Sequence, residues 1–527
     1  MTIIERPLRL ASYRITRVGP DAVTDALERV ERARPGMSAS RRLSRGQAVG
    51  SVVVLALVVL ALVVWPAGTM VVAVSLCTFV YLATIAHRVV MVRSSLSANP
   101  FVSITDAEAL AVPDHELPSY TLLVPAYREP EVMPALFANL ERLDYPSERL
   151  EIRLLLEEGD DASLDAALAA AGRTDLPIEV IVLPPGGPQT KPRALNVGLA
   201  HSTGELVTIY DAEDRPEPLQ LRRAAVAMGR LGPEHACLQA RLEFYDGDRN
   251  LLTRWFAAEY LTWFNCFLPG MVNQGGVVPL GGTSNHFRRA ALVDVGAWDP
   301  YNVTEDADLG IRLQRSGYGI GVLDSVTHEE ANSDVINWIK QRSRWQKGYL
   351  ATAFVHLRRP RTLVADLGWG KVGHLLLFVA GTPILGMLNL VFWGLSLLWI
   401  ATQAHFIELL FPGVTYYLAL FAWAIGNFTI LYMGLLTVHF TKRWELVVPV
   451  LLVPLYWVLM SIAALRAVLQ FIVDPFHWEK TQHGLGFAPA EEVVVLPEEV
   501  VTLPEEVIVL TEPVPVIDLT TAHEWQN

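Results

Sequence analysis

Apolar runs of near-membrane-spanning length lie on both sides of a central stretch that is soluble in character. Two of them, at 49–65 and 68–86, precede this stretch. Three more, at 374–400, 414–438 and 446–473, follow it. A helix needs about 20 apolar residues to cross the hydrocarbon of a bilayer. The sequence therefore predicts a folded domain inserted between transmembrane helices, with the lipid bilayer as one partner.

Basic residues predict which side of the membrane the central domain occupies. The first 45 residues carry ten Arg against five acidic residues, and Arg88 and Arg93 follow the second run. Because positive flanks stay in the cytoplasm, we expect both ends of a hairpin over 47–92 there. Residues 1–46 then form a basic cytoplasmic tail and not a signal peptide. The expected location is the inner (plasma) membrane, with the central domain cytoplasmic.

The C-terminal block, 372–473, is compatible with three or four crossings. Small residues and a proline at 381–386 interrupt its first run, which is either one kinked span or two shorter pieces. Lys442 and Arg443 favour three crossings by the charge rule. Four crossings, or a re-entrant piece, would keep the following segment, 474–490, cytoplasmic, and this is the placement expected.

Acidic repeats characterise the last segment, 491–527. It holds nine acidic residues, no Lys or Arg, and the repeated units EEVVVLP, EEVVTLP and EEVIVLT. Proline at the joints and a uniform negative charge predict a solvated, disordered tail. The alternative is a docking strip that adds a strand to an accessory subunit.

Short apolar runs in the central stretch predict buried strands. Runs at 121–127, 152–158, 178–183 and 205–211 alternate with helical patterns. This alternation predicts a parallel sheet with crossover helices. Polar residues follow the runs directly, at the strand ends where open α/β sheets bind their ligands.

Two acidic clusters are candidates for chemistry. Asp211, Glu213 and Asp214 follow a predicted strand, and Mg²⁺ or Mn²⁺ prefers such oxygen ligands and bridges phosphates. The alternative is an acidic surface loop. Glu305 and Asp306 precede a helical pattern, where a carboxylate could act as a general base. The alternative there is a helix cap.

A helix-like stretch, IKQRSRWQKGYL, carries a third candidate group. Gln341, Arg344, Trp345 and Gly348 recur at three- or four-residue spacing and can share one helix face. Arginine binds diphosphates and tryptophan stacks against sugars. The alternative is a basic helix lying on anionic lipid.

In combination, these segments resemble the family 2 glycosyltransferases, especially the processive membrane synthases of cellulose, hyaluronan and related β-linked polysaccharides. The hallmark of that family is a spaced set of D, D, D and Q-x-x-R-W. Asp306 precedes Gln341 by 35 positions, which matches the family. The resemblance implies an α/β, GT-A-like (Rossmann-like) mixed-sheet domain over 93–336, inserted between transmembrane helices. Interfacial helices that carry Q-x-x-R-W would follow over 337–371.

The resemblance also implies a nucleotide site. VPAYRE looks like the first nucleotide-contacting strand end, EEG stands where the family has Asp-Asp-Gly, and TKPRALNVGL resembles its G-K-x-x-A-L-N-x-G segment, in which Asn196 would shape the pocket. The implied nucleotide-binding residues are Pro125, Tyr127, Glu129, Glu157, Glu158, Lys191 and Asp211. DAED is similar to the D-x-D metal motif, so Asp211 and Glu213 are expected to hold Mg²⁺ or Mn²⁺, with Asp214 the alternative second ligand.

For the acceptor side, the resemblance implies that Asp306 is the general base with Glu305 beside it. GGTSNHFRRAAL resembles the family's acceptor-side glycine segment. The implied acceptor and polymer contacts are Asn285, His286, Gln341, Arg344 and Trp345.

The segment DPFHWEKTQHG at 474–484 is similar to loops that close over the nucleotide in these synthases. The implied gating-loop residues are Trp478, Lys480, Thr481 and His483. This role requires a cytoplasmic placement. The alternative is an anchor at the membrane surface, where Trp, His and Lys are also favoured.

The expected function is polymerisation of a UDP-hexose into a β-linked polysaccharide, with translocation of the growing chain. UDP-glucose is the first choice of donor and UDP-N-acetylglucosamine the second. One alternative is a non-processive transferase that adds one sugar to a lipid carrier, and another is a catalytically inactive transport subunit. No nucleic acid is expected as a partner.

Overall fold

One mixed sheet organises the central domain of the computed structural model, which describes residues 13–97 and 99–474. Its strands are β1 (Arg14–Arg17), β2 (Phe101–Val102), β3 (Tyr120–Pro125), β4 (Leu150–Glu157), β5 (Ile178–Leu183), β6 (Leu206–Ile209), β7 (Arg215–Pro216), β8 (His235–Phe244), β9 (Asn285–Arg288) and β10 (Gly319–Glu329). The order is β1-β5-β4-β3-β6-β9-β8-β10-β2, and β7 pairs with β10. Only β7 and β9 pair antiparallel to their neighbours among the described strands. The expected mixed α/β sheet is therefore confirmed.

The helices that precede the end of the sheet are α1 (Pro20–Ala33), α2 (Arg45–Val64), α3 (Pro66–Ser97), α4 (Asp106–Ala111), α5 (Met133–Glu141), α6 (Asp161–Ala171), α7 (Lys191–Ala200), α8 (Gln220–Leu231), α9 (Leu251–Thr262), α10 (Leu268–Asn273), α11 (Arg289–Asp294) and α12 (Glu305–Arg315). Those that follow it are α13 (Val335–His356), α14 (Pro360–His374), α15 (Gly381–Thr402), α16 (His405–Leu409), α17 (Val414–Phe421), α18 (Asn427–Thr441), α19 (Val447–Leu451) and α20 (Val453–Val473). Single π-helical turns at Trp263–Phe267, Leu375–Ala380 and Ala422–Gly426 join α9 to α10, α14 to α15 and α17 to α18.

The sheet separates two apolar cores. Along β3, Leu122 and Val124 pack into one core and Leu123 into the other. This alternation follows from the two-residue period of a strand, which points successive side chains to opposite faces. Because both faces are covered, the strands are nearly continuous in apolar character, as the sequence pattern indicated.

The N-terminal segment is part of the sheet domain. Strand β1 pairs in parallel with β5 at the sheet edge, and α1 buries Val23, Ala26 and Val30. These three residues recur at helical spacing, so one apolar face of α1 can lie on α7. Residues 14–33, which their charge had assigned to a cytoplasmic tail, therefore fold with the sheet. Of the arginines in this segment, Arg14, Arg17 and Arg32 are exposed and Arg29 is half-buried.

Five helices among the described residues are long and apolar enough to cross a membrane. Two of them, α2 and α3, form the predicted N-terminal pair. The other three are Pro360–Thr402, Val414–Thr441 and Val453–Val473. The first of these three is kinked at Gly368, whose backbone is non-helical, and at the π-helical turn that follows.

The last of the five helices, α20, runs alongside α13. Contacts at successive points along both helices define this arrangement: Trp338 with Tyr456, Gln346 with Met460, and Phe354 with Phe471. At the far end of α20, the Ile472 carbonyl accepts a hydrogen bond from Arg42 Nη1 at 3.1 Å. Both ends of α20 therefore lie beside elements that adjoin the sheet domain.

Candidate active site

A single cavity of about 770 Å³ extends from the sheet into the bundle of apolar helices. At one end, its walls come from the carboxyl ends of β3, β4 and β6. The middle is lined by the start of α12 and by α13. The other end is lined by side chains of α3, α15, α18 and α20, including Tyr81, Asn389, Asn427, Trp457 and Ser461.

The sheet end of the cavity holds most of the predicted nucleotide residues. Pro125, Tyr127, Glu129, Glu157, Lys191 and Asp211 all line it. Parallel strands present their carboxyl ends at one edge of the sheet, which is why segments far apart in sequence meet there. Glu158 is different, because it is exposed on the turn after β4 and does not contribute to the wall.

Glu157 is held by an arginine that the motif comparison did not identify. Arg193, fully buried in α7, forms an ion pair with the Glu157 carboxylate and donates to the Gly186 carbonyl. Burial raises the pKa of Glu157, and the adjacent guanidinium opposes that shift. Arg193 lies inside TKPRALNVGL, so its position in the motif was the available signal.

The acidic cluster after β6 divides into two roles. Asp211 and Glu213 line the cavity. Asp214 is buried instead, where its Oδ2 accepts hydrogen bonds from Asp211 N at 2.8 Å and from the Thr283 hydroxyl. Burial, followed by repulsion from Asp211, raises the pKa of Asp214 well above its usual value. Geometry therefore favours Glu213 over Asp214 as the carboxylate that accompanies Asp211.

Lys191 supplies positive charge at the same place. Its ammonium forms an ion pair with Asp211 and donates to the Gly282 carbonyl at 2.9 Å. Within residues 13–97 and 99–474, no group of three or more His, Cys, Asp or Glu side chains is arranged to hold a metal ion. Two cavity-facing carboxylates still fit Mg²⁺ or Mn²⁺, because such ions take one or two carboxylates together with substrate phosphates.

Glu305 and Asp306 open α12 and both line the cavity. Asp306 Oδ1 accepts from the Ala307 backbone N–H at 2.7 Å. Burial raises the pKa of Asp306 to about 6, and burial with repulsion from Asp306 raises that of Glu305 to about 8. Thr304 is the N-cap residue of α12 and acidic residues occupy the first turn, as the capping alternative expects, but the Thr304 side chain makes no capping hydrogen bond.

The Q-x-x-R-W residues face the middle of the cavity. Gln341, Arg344 and Trp345 all line it, as their shared helical face predicted. Gln341 Oε1 is buried and accepts no hydrogen bond from any described residue. The Trp345 ring is inclined by 29° to that of Tyr260, with centroids 6.4 Å apart. A buried acceptor without a partner beside an indole ring is suited to a polar, ring-shaped ligand.

Asn285 and His286 are not in the cavity wall, in contrast to expectation. Both are buried in β9, where His286 Nδ1 is 2.6 Å from the Tyr120 hydroxyl and Asn285 Nδ2 donates to the Gly281 carbonyl at 2.6 Å. Burial lowers the pKa of His286 to about 3. The glycine segment contributes Gly281 and Gly282 instead.

Asn196 is likewise a scaffold residue and does not shape the pocket surface. It is fully buried, and its Nδ2 donates to the carbonyls of Ala26 at 3.0 Å and Trp298 at 2.8 Å. It therefore ties α1 to the loop before α12. The gating-loop candidates Trp478, Lys480, Thr481 and His483, and the acidic repeats, lie outside the described residues.

The fold defines the class to which this chain belongs. It is a GT-A-like fold, similar to that of a solved mannosyltransferase, PcManGT from Pyrobaculum calidifontis, in complex with GDP-Man and Mn²⁺. The TM-score is 0.51 at 18% identity, over 77% of this chain and 99% of that one.

Residues 206–472, just over half of the chain, match the model of the family described as glycosyl transferase family group 2. The chain belongs to this family and is a family 2 glycosyltransferase.

Two curated relatives are similar over about half of this chain. The probable glycosyltransferase YdaM of Bacillus subtilis is 29% identical over 277 residues, which cover 50% of this chain and 64% of YdaM. The β-monoglucosyldiacylglycerol synthase of Synechocystis sp. is 31% identical over 235 residues, 44% of this chain and 48% of that protein. The chain thus spans about half to two thirds of the length of the relatives that it matches.

Proposed function

We propose that this glycosyltransferase polymerises a UDP-hexose, with glucose the first choice and N-acetylglucosamine the second, into a β-linked polysaccharide that it also translocates. One observation carries the proposal. The cavity that holds Asp211, Asp306 and Trp345 continues without interruption between the apolar helices. A product formed at Asp306 would therefore have a path into the membrane part of the protein.

The donor would bind at the sheet end of the cavity. Glu157, oriented by Arg193, faces the place where a nucleobase would lie, and Lys191 is positioned to contact the diphosphate. Asp211 and Glu213 would hold Mg²⁺ or Mn²⁺, which stabilises the negative charge that develops on a departing diphosphate. Arg344, which also lines the cavity, would add a second cationic group for the leaving diphosphate.

The transfer would be a single in-line displacement. Asp306 takes the proton of the acceptor hydroxyl, whose oxygen forms a bond to the anomeric carbon of the donor sugar. The bond from that carbon to the UDP oxygen breaks, and UDP leaves with the electron pair. Attack from the opposite face inverts the anomeric configuration, so an α-linked donor gives a β-linked product. The raised pKa of Asp306 suits a general base near neutral pH.

The contacts of α20 support a cytoplasmic catalytic domain in which α20 is the re-entrant piece of the C-terminal block. One end of α20 contacts Trp338 of α13, and the other accepts a hydrogen bond from Arg42, which flanks the first span. A helix with both ends on the same side does not cross the bilayer. The C-terminal block would then cross the bilayer twice, at α15 and at the α17–α18 pair, in addition to the two N-terminal crossings at α2 and α3. Asp474 would then lie on the cytoplasmic side of the inner membrane, as the proposed gating role of residues 474–490 requires.

Single transfer to a lipid acceptor is the second candidate function. The name of the Synechocystis relative indicates a glycolipid product, and the membrane end of the cavity has a largely apolar wall that would also accommodate acyl chains. Product size separates the two candidates. Purified protein with Mg²⁺ or Mn²⁺ and a panel of radiolabelled UDP-sugars should yield UDP and a polymer of many residues.

Asp306→Asn is the control in that experiment, because it removes the base but keeps the shape of the side chain. A single-sugar lipid product would overturn polymerisation but leave the glycosyltransferase assignment intact. No UDP release with any donor, from folded protein, would favour an inactive transport subunit. The acidic tail is proposed to bind an accessory subunit, and a search for that subunit would follow these measurements.

A further inference from the structure

A buried cluster of polar groups joins three helices at the wall of the cavity. Arg342 of α13 forms a two-pronged ion pair with Glu259 of α9, with Nη1–Oε1 and Nη2–Oε2 distances of 3.1 and 2.5 Å. The Tyr456 hydroxyl, from α20, donates to Glu259 Oε2 at 2.5 Å and accepts from Arg342 Nη2 at 3.2 Å. These contacts determine where the Arg342 guanidinium lies.

The same guanidinium also contacts two aromatic rings. Its central carbon is 4.5 Å from the centroid of the Trp345 ring and 4.4 Å from that of Phe256. Arg342 and Trp345 are three positions apart, so they lie on one face of α13 and reach each other without strain. A planar cation over an indole is attractive, and more so away from water. The indole of Trp345 is therefore oriented by Arg342.

Lysine could not reproduce this arrangement. An ammonium group keeps the positive charge, but it cannot make two parallel hydrogen bonds to one carboxylate while lying flat on an aromatic ring. Removing either member of a buried ion pair also leaves the other without compensation. The cluster should therefore respond strongly to small chemical changes in Arg342, Glu259 or Tyr456.

We infer that Arg342, held by Glu259 and Tyr456, is a positioning residue that orients Trp345 toward the acceptor sugar. The inference rests on the proposed function, in which Trp345 contacts the growing polymer. Tyr456 lies in the first turns of α20, and the turn that follows it lines the membrane end of the cavity. The cluster thus connects the place where the acceptor would stack with the proposed exit path.

A double-mutant cycle tests the inference on the full-length protein. The variants are Arg342→Lys, Trp345→Phe and the double substitution, with UDP-glucose as the donor probe. Product length, the KM for UDP-glucose and kcat for UDP release are measured. Arg222→Lys is the matched control, because Arg222 is also buried and pairs with two carboxylates, Asp114 and Asp144, away from the cavity.

Arg342→Lys is expected to shorten the product about tenfold, with the KM for UDP-glucose changed less than about twofold, because contacting groups are strongly coupled. In the Trp345→Phe background, Arg342→Lys should shorten the product by less than about a further threefold. The ring that Arg342 orients is already altered in that background. Arg222→Lys should act equally in both backgrounds. Tyr456→Phe should reproduce a weaker form of the Arg342→Lys effect.

Equal effects of Arg342→Lys in both backgrounds would overturn the inference and leave the proposed function standing. A change in product length from Trp345→Phe is itself expected. If Trp345→Phe leaves product length unchanged, the acceptor role in the proposed function fails, and the positioning role fails with it. If all variants lose activity in proportion to their thermal stability, including Arg222→Lys, the cluster is structural and the inference is wrong.

Discussion

Gly348 of α13 packs directly against Thr304, the residue that precedes Glu305 and Asp306. A Cβ placed on Gly348 would lie 2.4 Å from the Thr304 side chain, closer than side chains can approach. The helix that carries Trp345 is therefore pressed onto the start of the helix that carries the proposed base. The distance between the acceptor wall and the base depends on this close approach.

Gly348→Ala is expected to reduce activity through this contact. The added methyl must push α13 away from Thr304, and overpacking of this kind costs about 1–3 kcal/mol. Thermal unfolding in detergent and the rate of UDP release measure the two effects. Gly370→Ala, in α14, is the control, since a Cβ there meets no atom of a described residue within 4 Å. Wild-type activity in Gly348→Ala would contradict the proposed coupling.

The pH dependence of the reaction should show Asp306 as the base. Its pKa is raised to about 6, and a base works only after it has lost its proton. We therefore expect kcat/KM to fall below pH 6, about tenfold per unit, and to level off above it. The profile is obtained from initial rates of UDP release, measured at intervals of about one pH unit or less between about pH 4.5 and 8.

Two substitutions separate Asp306 from its neighbour. Asp306→Asn should lower kcat by about 10²–10⁴-fold, the usual contribution of a general base. Glu305→Gln should still show the fall in kcat/KM below pH 6. The reason is that the pKa of Glu305 is raised to about 8, so its carboxyl group is mostly protonated at pH 7. If kcat/KM no longer falls below pH 6 in Glu305→Gln, while Asp306→Asn is still active, then Glu305 and not Asp306 is the base.

Metal dependence should distinguish Glu213 from Asp214. Glu213→Gln removes a carboxylate that faces the cavity, so we expect a higher Mg²⁺ or Mn²⁺ concentration for half-maximal rate, with thermal stability unchanged. Asp214→Asn alters a buried acceptor of two hydrogen bonds and should lower the free energy of unfolding by about 1–3 kcal/mol. Chelation with EDTA should stop the wild-type enzyme. The opposite pattern in the two variants would make Asp214 the ligand.

Thiol labelling in intact cells should report the number of crossings. With Cys77, Cys237 and Cys266 replaced by alanine, His405→Cys and Asp474→Cys each add one exposed thiol. A membrane-impermeant maleimide should label position 405 directly and position 474 only after the membrane is permeabilised. Direct labelling at 474 would show that α20 crosses the bilayer, and the cytoplasmic placement of 474–490 would be wrong.

The strands and the cavity-lining motifs were predictable because their signals are local. Apolar runs gave β3 to β6 to within a few residues, and polar residues after those runs identified the edge of the sheet that carries Asp211. The helical spacing of Gln341 and Trp345 was enough to place them on one face. Burial and periodicity depend mainly on neighbours in the chain, so the order of apolar and polar residues encodes them directly.

Side-chain direction and partner choice were not predictable. Asn285 and His286 lie in the expected segment but point into the interior, because the antiparallel pairing of β9 with β6 and β8 determines which face each residue occupies. Asn196 joins α1 to the sheet domain. The segment that contains α1 was interpreted only from its basic charge, which gives no sign of the apolar face of this helix. No spacing in the sequence indicates such pairings.

The sequence alone determined the layout of this protein, apolar helices around an α/β domain, and it singled out Asp211, Asp306 and Trp345 as candidates for the chemistry. Only the tertiary structure decided that these residues share one cavity, that Glu213 and not Asp214 faces it, and that Arg342 meets Glu259 and Tyr456. The physical reason is that hydrophobic patterning acts over one or two turns. Contacts between residues 83 and 114 positions apart, as in that cluster, exist only once the helices have packed.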